Sequence, residues 1–206
     1  MEPVYDTVIA AARTLWWAEG LRFNISGVEN VPDTGAGVVA FNHTGYLDFT
    51  YAGIPAFLKG RKVRFMAKKE VFDNTYTGPI MRALRHIPVD RANGAQSYHD
   101  AVDLLKQGEL VGVYPEATIS RSFELKDFKT GAARMALETD APLIPTVIWG
   151  AQRVWTKGHP KKLGRSNYKI LVGVAEPITP DGDPETLIKQ LHESMSAKLL
   201  ELQDAY

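Results

Sequence analysis

Short apolar runs recur along this chain, and the stretches between them carry helical spacing, a pattern that few folds satisfy. Residues 37–42, 62–67, 86–89, 109–114, 143–149 and 168–174 are apolar or alternating and read as strands, with 21–26 a weaker seventh. Residues 48–58, 76–84, 96–107 and 130–139 have helical periodicity. Asp183 followed by Pro184 supplies a cap and a first-turn proline for a last helix, whose apolar stripe is Leu187, Leu191, Met195, Leu199 and Leu202. Near the start, Val4, Val8, Ile9, Ala12, Leu15 and Trp16 share one helical face, so residues 1–20 are expected to form an amphipathic helix over 3–19, with Trp17 on its polar side. Strands alternating with helices predict an α/β fold: one domain over 1–206 with a central, mostly parallel sheet of about seven strands flanked by helices. Ligands of such sheets gather beyond the carboxyl ends of the strands.

Composition narrows the function. The 24 basic residues match the 24 acidic ones, so no global field draws the chain to nucleic acid. Without a cysteine there is no disulfide, thiolate metal site or cysteine nucleophile. The first twenty residues carry Glu2, Asp6, Arg13 and Glu19, unlike a signal peptide, and no run of eighteen apolar residues occurs. The expected address is therefore cytoplasmic, and any membrane contact would be peripheral, on the inner face of the cell membrane. Two basic clusters stand out: Lys59, Arg61, Lys62, Arg64, Lys68 and Lys69, then Lys157, Lys161, Lys162 and Arg165. Each is either a solvated surface or an attractor for coenzyme A phosphates, an acidic carrier protein or anionic lipid.

Common signatures are missing. Residues 35–40 spell GAGVVA, but these glycines precede a strand instead of following one, so the dinucleotide fingerprint lacks its structural basis. There is no G-x-S-x-G, phosphate-loop or H-E-x-x-H motif, and His192-Glu193 lacks a second histidine.

What remains is a set of chemically loaded residues at strand ends. His43 follows the strand at 37–42, Arg91 the one at 86–89, and Glu116 the one at 109–114; Pro145 instead begins a strand. His43 and Asp48 are five residues apart and would diverge on a continuous helix, but Gly45 lets the chain bend between them. Two readings of the pair stand at this point. Asp48 could fix the tautomer of His43 and make it a base, or it could simply cap the helix that starts there.

The segment NHTGYLD, residues 42–48, resembles the H-x-x-x-x-D block of the glycerolipid acyltransferases that acylate glycerol phosphate and lysophosphatidic acid. RHIPVDR (85–91), YPEATISR (114–121) and APLIPTV (141–147) resemble the second, third and fourth blocks of that family, in order, and FKTGAARMA (128–136) the stretch after the third. There are departures. Arg85 stands where the second block usually has glycine; in the third, Tyr114 replaces phenylalanine, Ala117 glycine and Ile119 arginine.

The resemblance implies transfer of an acyl group from acyl-coenzyme A or acyl carrier protein to a glycerol-phosphate hydroxyl, with 1-acyl-sn-glycerol 3-phosphate the expected acceptor and phosphatidic acid the product. It implies His43 as the base and Asp48 as its orienting partner. Arg91 would hold phosphate, with Arg121 standing in for the arginine missing at 119; Glu116 would help place the acceptor's head and Pro145 would shape the pocket wall. Thr118 and Lys129 would be contact or structural residues. No metal, cofactor or covalent enzyme intermediate is called for. The rival readings are an acyltransferase with another acceptor, such as glycerol 3-phosphate, and a lipid- or carrier-binding module without activity.

Overall fold

Valine, isoleucine and leucine in short runs suit strands buried on both faces; the central strands of the one seven-stranded sheet are of this kind, and the edge strands are more polar and more exposed. The seven are β1 (Arg22–Ser26), β2 (Gly37–Phe41), β3 (Val63–Lys68), β4 (Ile87–Val89), β5 (Leu110–Val113), β6 (Leu143–Trp149) and β7 (Lys169–Val174), in the order β1-β7-β6-β2-β5-β3-β4. Every neighbouring pair is parallel except β6 and β7. The structure is a computed structural model and describes residues 2–90, 92–162 and 164–206; Arg91 lies outside the described residues.

Eight helices cover the sheet among the described residues: α1 (Pro3–Glu19), α2 (Asp48–Ala52), α3 (Ile54–Leu58), α4 (Lys69–Asp73), α5 (Thr77–Ala83), α6 (Gly94–Lys106), α7 (Gly131–Thr139) and α8 (Pro184–Asp204). The period-two alternation of strands sorts the core into two layers. Val38, Ala40, Leu143 and Val147 face α6, α7 and α8, whereas Val39, Phe41, Ile144 and Ile148 face α1, α2 and α3. The last helix follows its sequence cues: Asp183 Oδ1 accepts from the amides of Glu185 and Thr186, and the predicted leucine and methionine stripe is buried.

Three expectations change. The helix expected over 48–58 breaks at Gly53, because Pro55 has no N–H to give the carbonyl of Tyr51 and its ring would crowd that turn. Pro145 is the third residue of β6, not its first; it stands opposite Ala40 on β2, and its carbonyl accepts from Ala175 N–H on the other side. In α1, the buried stripe is Tyr5, Trp16 and Glu19, leaving Val4, Leu15 and Trp17 exposed.

Most of the first basic cluster has partners within the structure. Lys59 pairs with Asp33, Lys62 with Asp6 and Lys69 with Asp90, and Arg61 donates to the carbonyls of Pro32, Gly35 and Gly108. Arg64, 1% exposed, is clamped between Glu2 and Glu109 and also donates to the Leu84 carbonyl. This clamp lies at the amino end of β3 and β5 and ties the start of α1 to the sheet.

Beside it, His86 Nδ1 accepts the backbone N–H of Phe65 at 3.1 Å, which requires that nitrogen to be unprotonated. Burial, helped by the Arg64 charge, pushes the His86 pKa down to about 4. The unfolded chain takes up this proton below about pH 6.5 and the folded chain only near pH 4. Stability should therefore be intact above pH 6.5 and fall as pH drops toward 4, by roughly 3 kcal/mol from this group. Urea unfolding between pH 7 and 4 measures the loss, and His86→Gln, which keeps an acceptor but cannot titrate, should flatten that part of the curve.

Candidate active site

Because β2 and β5 are parallel neighbours, the residues that follow them emerge side by side at one end of the sheet. His43 and Glu116 are thereby brought together: the His43 N–H donates to Glu116 Oε1 at 2.8 Å. The other carboxylate oxygen of Glu116 accepts from the Lys126 N–H at 3.2 Å. Burial raises the Glu116 pKa, and these amide bonds oppose the rise. What the structure gives Glu116 is thus a positioning role, joining the end of β2 to the loop after β5.

The loop 42–48 is held from within and from both sides. Asn42 is fully buried and extends β2 with its side chain, donating from Nδ2 to the Ile148 carbonyl and accepting the Ile148 N–H at Oδ1. On the other flank the Ser120 N–H donates to the His43 carbonyl at 2.7 Å. The Thr156 hydroxyl reaches the Thr44 carbonyl, and the Tyr46 N–H that of Trp155. The turn at Gly45 then returns the chain so that Asp48 Oδ2 lies 3.1 Å from His43 Nδ1.

This geometry separates the two readings of Asp48. The helix cap position is Leu47, with no side-chain cap bond, and the Asp48 carboxylate points back into the loop. There its Oδ2 accepts the amides of Thr44 and Gly45 at 2.7 and 2.8 Å, besides facing His43. Asp48 is fully buried. Burial pushes its pKa above the usual carboxylate range, while the His43 ring and the two amides pull against that rise. A carboxylate at Nδ1 places the ring proton there and leaves the Nε2 lone pair as the basic site. Nε2 has no hydrogen-bond partner among the described residues, and the imidazole is about a quarter exposed, with the Tyr114 ring stacked 4.4 Å from it. The arrangement suits removal of a proton from an entering hydroxyl.

The remaining predicted residues spread along the rim. Thr118, Arg121 and Lys129 are exposed in or just after the loop that follows β5, and the Lys129 backbone closes that loop on the Pro115 carbonyl. Pro145 is buried within the sheet, below the strand ends. Ile119 is buried, so the position where the resembling family has arginine faces protein. Arg85 and Ala117, both in place of glycine, have φ of 57° and 55°, the left-handed region that glycine enters without strain. Sequence reasoning passed over Asn42, Tyr114 and Ser120 as parts of the site. The available signals were the adjacency of Asn42 to His43 and the places of Tyr114 and Ser120 within the block at 114–121.

Comparison with known proteins bears on the family and the fold. The model of the family described as Acyltransferase matches residues 22–149. A 1-acyl-sn-glycerol-3-phosphate acyltransferase from Bacillus subtilis (strain 168) is 34% identical over 137 residues, covering 65% of this chain and 67% of that protein. The chloroplastic enzyme of the same name from Arabidopsis thaliana is 29% identical over 158 residues, 73% of this chain but 42% of its own length. Among solved structures, the 1-acyl-sn-glycerophosphate (LPA) acyltransferase PlsC from Thermotoga maritima superposes with a TM-score of 0.81 at 24% identity, over 96% of this chain and 79% of that one, a likeness of fold.

Proposed function

The chain belongs to the acyltransferase family, and from that premise we propose that it moves a fatty acyl group from a thioester to the free hydroxyl of 1-acyl-sn-glycerol 3-phosphate, giving phosphatidic acid. The observation that carries the reading is the 3.1 Å contact between His43 Nδ1 and a buried Asp48, which leaves Nε2 as the open base. Nε2 takes the hydroxyl proton as the oxygen attacks the thioester carbonyl. The tetrahedral adduct collapses, the C–S bond breaks, and the proton passes from the imidazolium to the leaving thiolate. Asp48 steadies the imidazolium meanwhile. The reaction balances without a metal, a cofactor or an acyl-enzyme. Arg91 and the exposed Arg121 supply the acceptor's phosphate with planar donor forks.

A panel of acceptors tests this: 1-acylglycerol 3-phosphate, glycerol 3-phosphate and monoacylglycerol, each with one acyl thioester, with products identified by mass. The first should react with the highest kcat/KM. Arg121→Ala should raise KM at least tenfold for the phosphorylated acceptors and leave that for monoacylglycerol unchanged. Preference for monoacylglycerol would overturn the choice of acceptor.

The same reading puts the protein on a lipid surface. No helix among the described residues is long and apolar enough to cross a membrane. The carboxyl end of α1 nevertheless lies at the site's end of the sheet and carries exposed Leu15 and an 81% exposed Trp17; exposed Phe49 is on α2, whose Tyr51 packs against Trp16 of α1. Such side chains favour the headgroup layer. Leu15→Ser with Trp17→Ser, which spares the buried Trp16, should reduce flotation with anionic vesicles while activity on a short-chain soluble acceptor persists. Undiminished flotation would contradict the surface assignment.

A further inference from the structure

A second concave feature adjoins the catalytic rim. Between the loop that carries Phe123 and the segment from Trp149 to Tyr168 lies a cleft of about 330 Å³, within the range of small-molecule sites, roughly 300–1,000 Å³. Its walls combine three aromatic rings, Phe123, Trp149 and Tyr168, with Arg153, His159 and Lys162, and no carboxylate lines it among the described residues. The Phe123 and His159 rings face each other from the two sides, 5.7 Å between centroids. Of the second basic cluster of the sequence, Lys162 lines the cleft, and Lys161 next to it lies over the Trp155 ring.

The cleft is joined to the chemistry. Phe123 is three residues beyond Ser120, whose N–H holds the His43 carbonyl, and Trp155 and Thr156, between the lining residues Arg153 and His159 in the chain, hold the backbone at Tyr46 and Thr44. Phe123 is also strained: its φ of 64° is a conformation that bulky residues rarely adopt and that tends to persist where a site requires it.

We infer that this cleft binds the phosphorylated adenosine end of a coenzyme A thioester. The inference rests on the acyl-transfer reading above and names its donor. Phosphates alone would need only the cations, whereas the aromatic walls suit a purine, which stacks on such faces. The cationic groups match the phosphates on the ribose and on the pyrophosphate bridge. A carrier protein would present pantetheine without any base, and the aromatic walls would have no partner. From this cleft the pantetheine arm runs past the loop at 120–123 to His43.

The probe is adenosine 3′,5′-bisphosphate, titrated calorimetrically into the intact protein and tested as an inhibitor. It should bind one per chain and compete with acyl-coenzyme A. In Arg153→Ala/Lys162→Ala its Kd should rise at least tenfold, and the preference for acyl-coenzyme A over the corresponding acyl-pantetheine should fall by a similar factor. Folding of the variant is checked by near-ultraviolet circular dichroism, and Lys162→Gln alone should show a smaller shift in the same direction. Absence of competition, or a rise in the acceptor's KM in place of the donor's, would overturn the assignment; the latter would identify the cleft as a site for the acceptor's phosphate. The two readings fail separately. Tight bisphosphate binding without acyl transfer to any acceptor would sink the proposed reaction and spare the site, whereas uninhibited transfer from acyl-coenzyme A would do the reverse.

Discussion

Replacing His43 with alanine is expected to lower kcat for acyl transfer by roughly 10²- to 10⁴-fold, the range supplied by a positioned general base, without unfolding the protein. The loop that carries His43 is held by backbone groups and by the side chains of Asn42, Asp48 and Glu116, none of which depends on the imidazole. Steady-state kinetics on the purified variant, with circular dichroism as the folding control, give the answer. Asp48→Asn should lower kcat more than it changes either KM, because an amide can reverse the ring's tautomer while substrate surfaces stay in place. Asp48→Ala should cost stability as well, since it strips two buried amides, those of Thr44 and Gly45, of their shared acceptor.

The second large effect is expected far from the chemistry. Arg64→Ala should lower the unfolding free energy by about 3 kcal/mol, the lower part of the range for breaking a buried ion pair, because Glu2 and Glu109 keep some contact with solvent. Arg64→Lys should recover little, since an ammonium cannot fork to two carboxylates and the Leu84 carbonyl together. Urea denaturation at pH 7 measures the loss, and hydrogen exchange should show α1 loosening first, as Glu2 is its tether. The same substitution removes a positive charge that holds the His86 pKa down, so the acid sensitivity of the variant should also shrink.

Much of this was legible in the sequence because the sheet is buried on both faces. The central strands are then nearly unbroken apolar runs, the edge strand β1 is only alternating, and all seven fall within a few residues of where the pattern predicts them. Direction was not legible. A run of valines does not say which way it points, so the antiparallel β7 emerges only from the structure. Pro55 marked the break between α2 and α3, yet a longer apolar periodicity concealed it. The pairing of His43 with Asp48 could be proposed because both lie in one loop. The bonds that hold the loop could not: Asn42 meets Ile148 across 106 residues, and His43 meets Glu116 across 73. Nor could the sequence reveal that Arg85 and Ala117, which stand where the resembling family has glycine, take the left-handed backbone. At Ile119, where the resembling family has a cation, this chain has a buried apolar group.

The claim that His43, set by Asp48, activates an acceptor hydroxyl for direct attack on a thioester is tested most directly by following thiol release and acylated acceptor together. With acyl-coenzyme A and 1-acylglycerol 3-phosphate, the parent protein should yield the two in equal amounts. Omitting the acceptor should stop thiol release, and His43→Ala should suppress both products alike. A burst of thiol without acceptor, with the acyl group left on the protein, or equal rates from the parent and His43→Ala, would contradict the account.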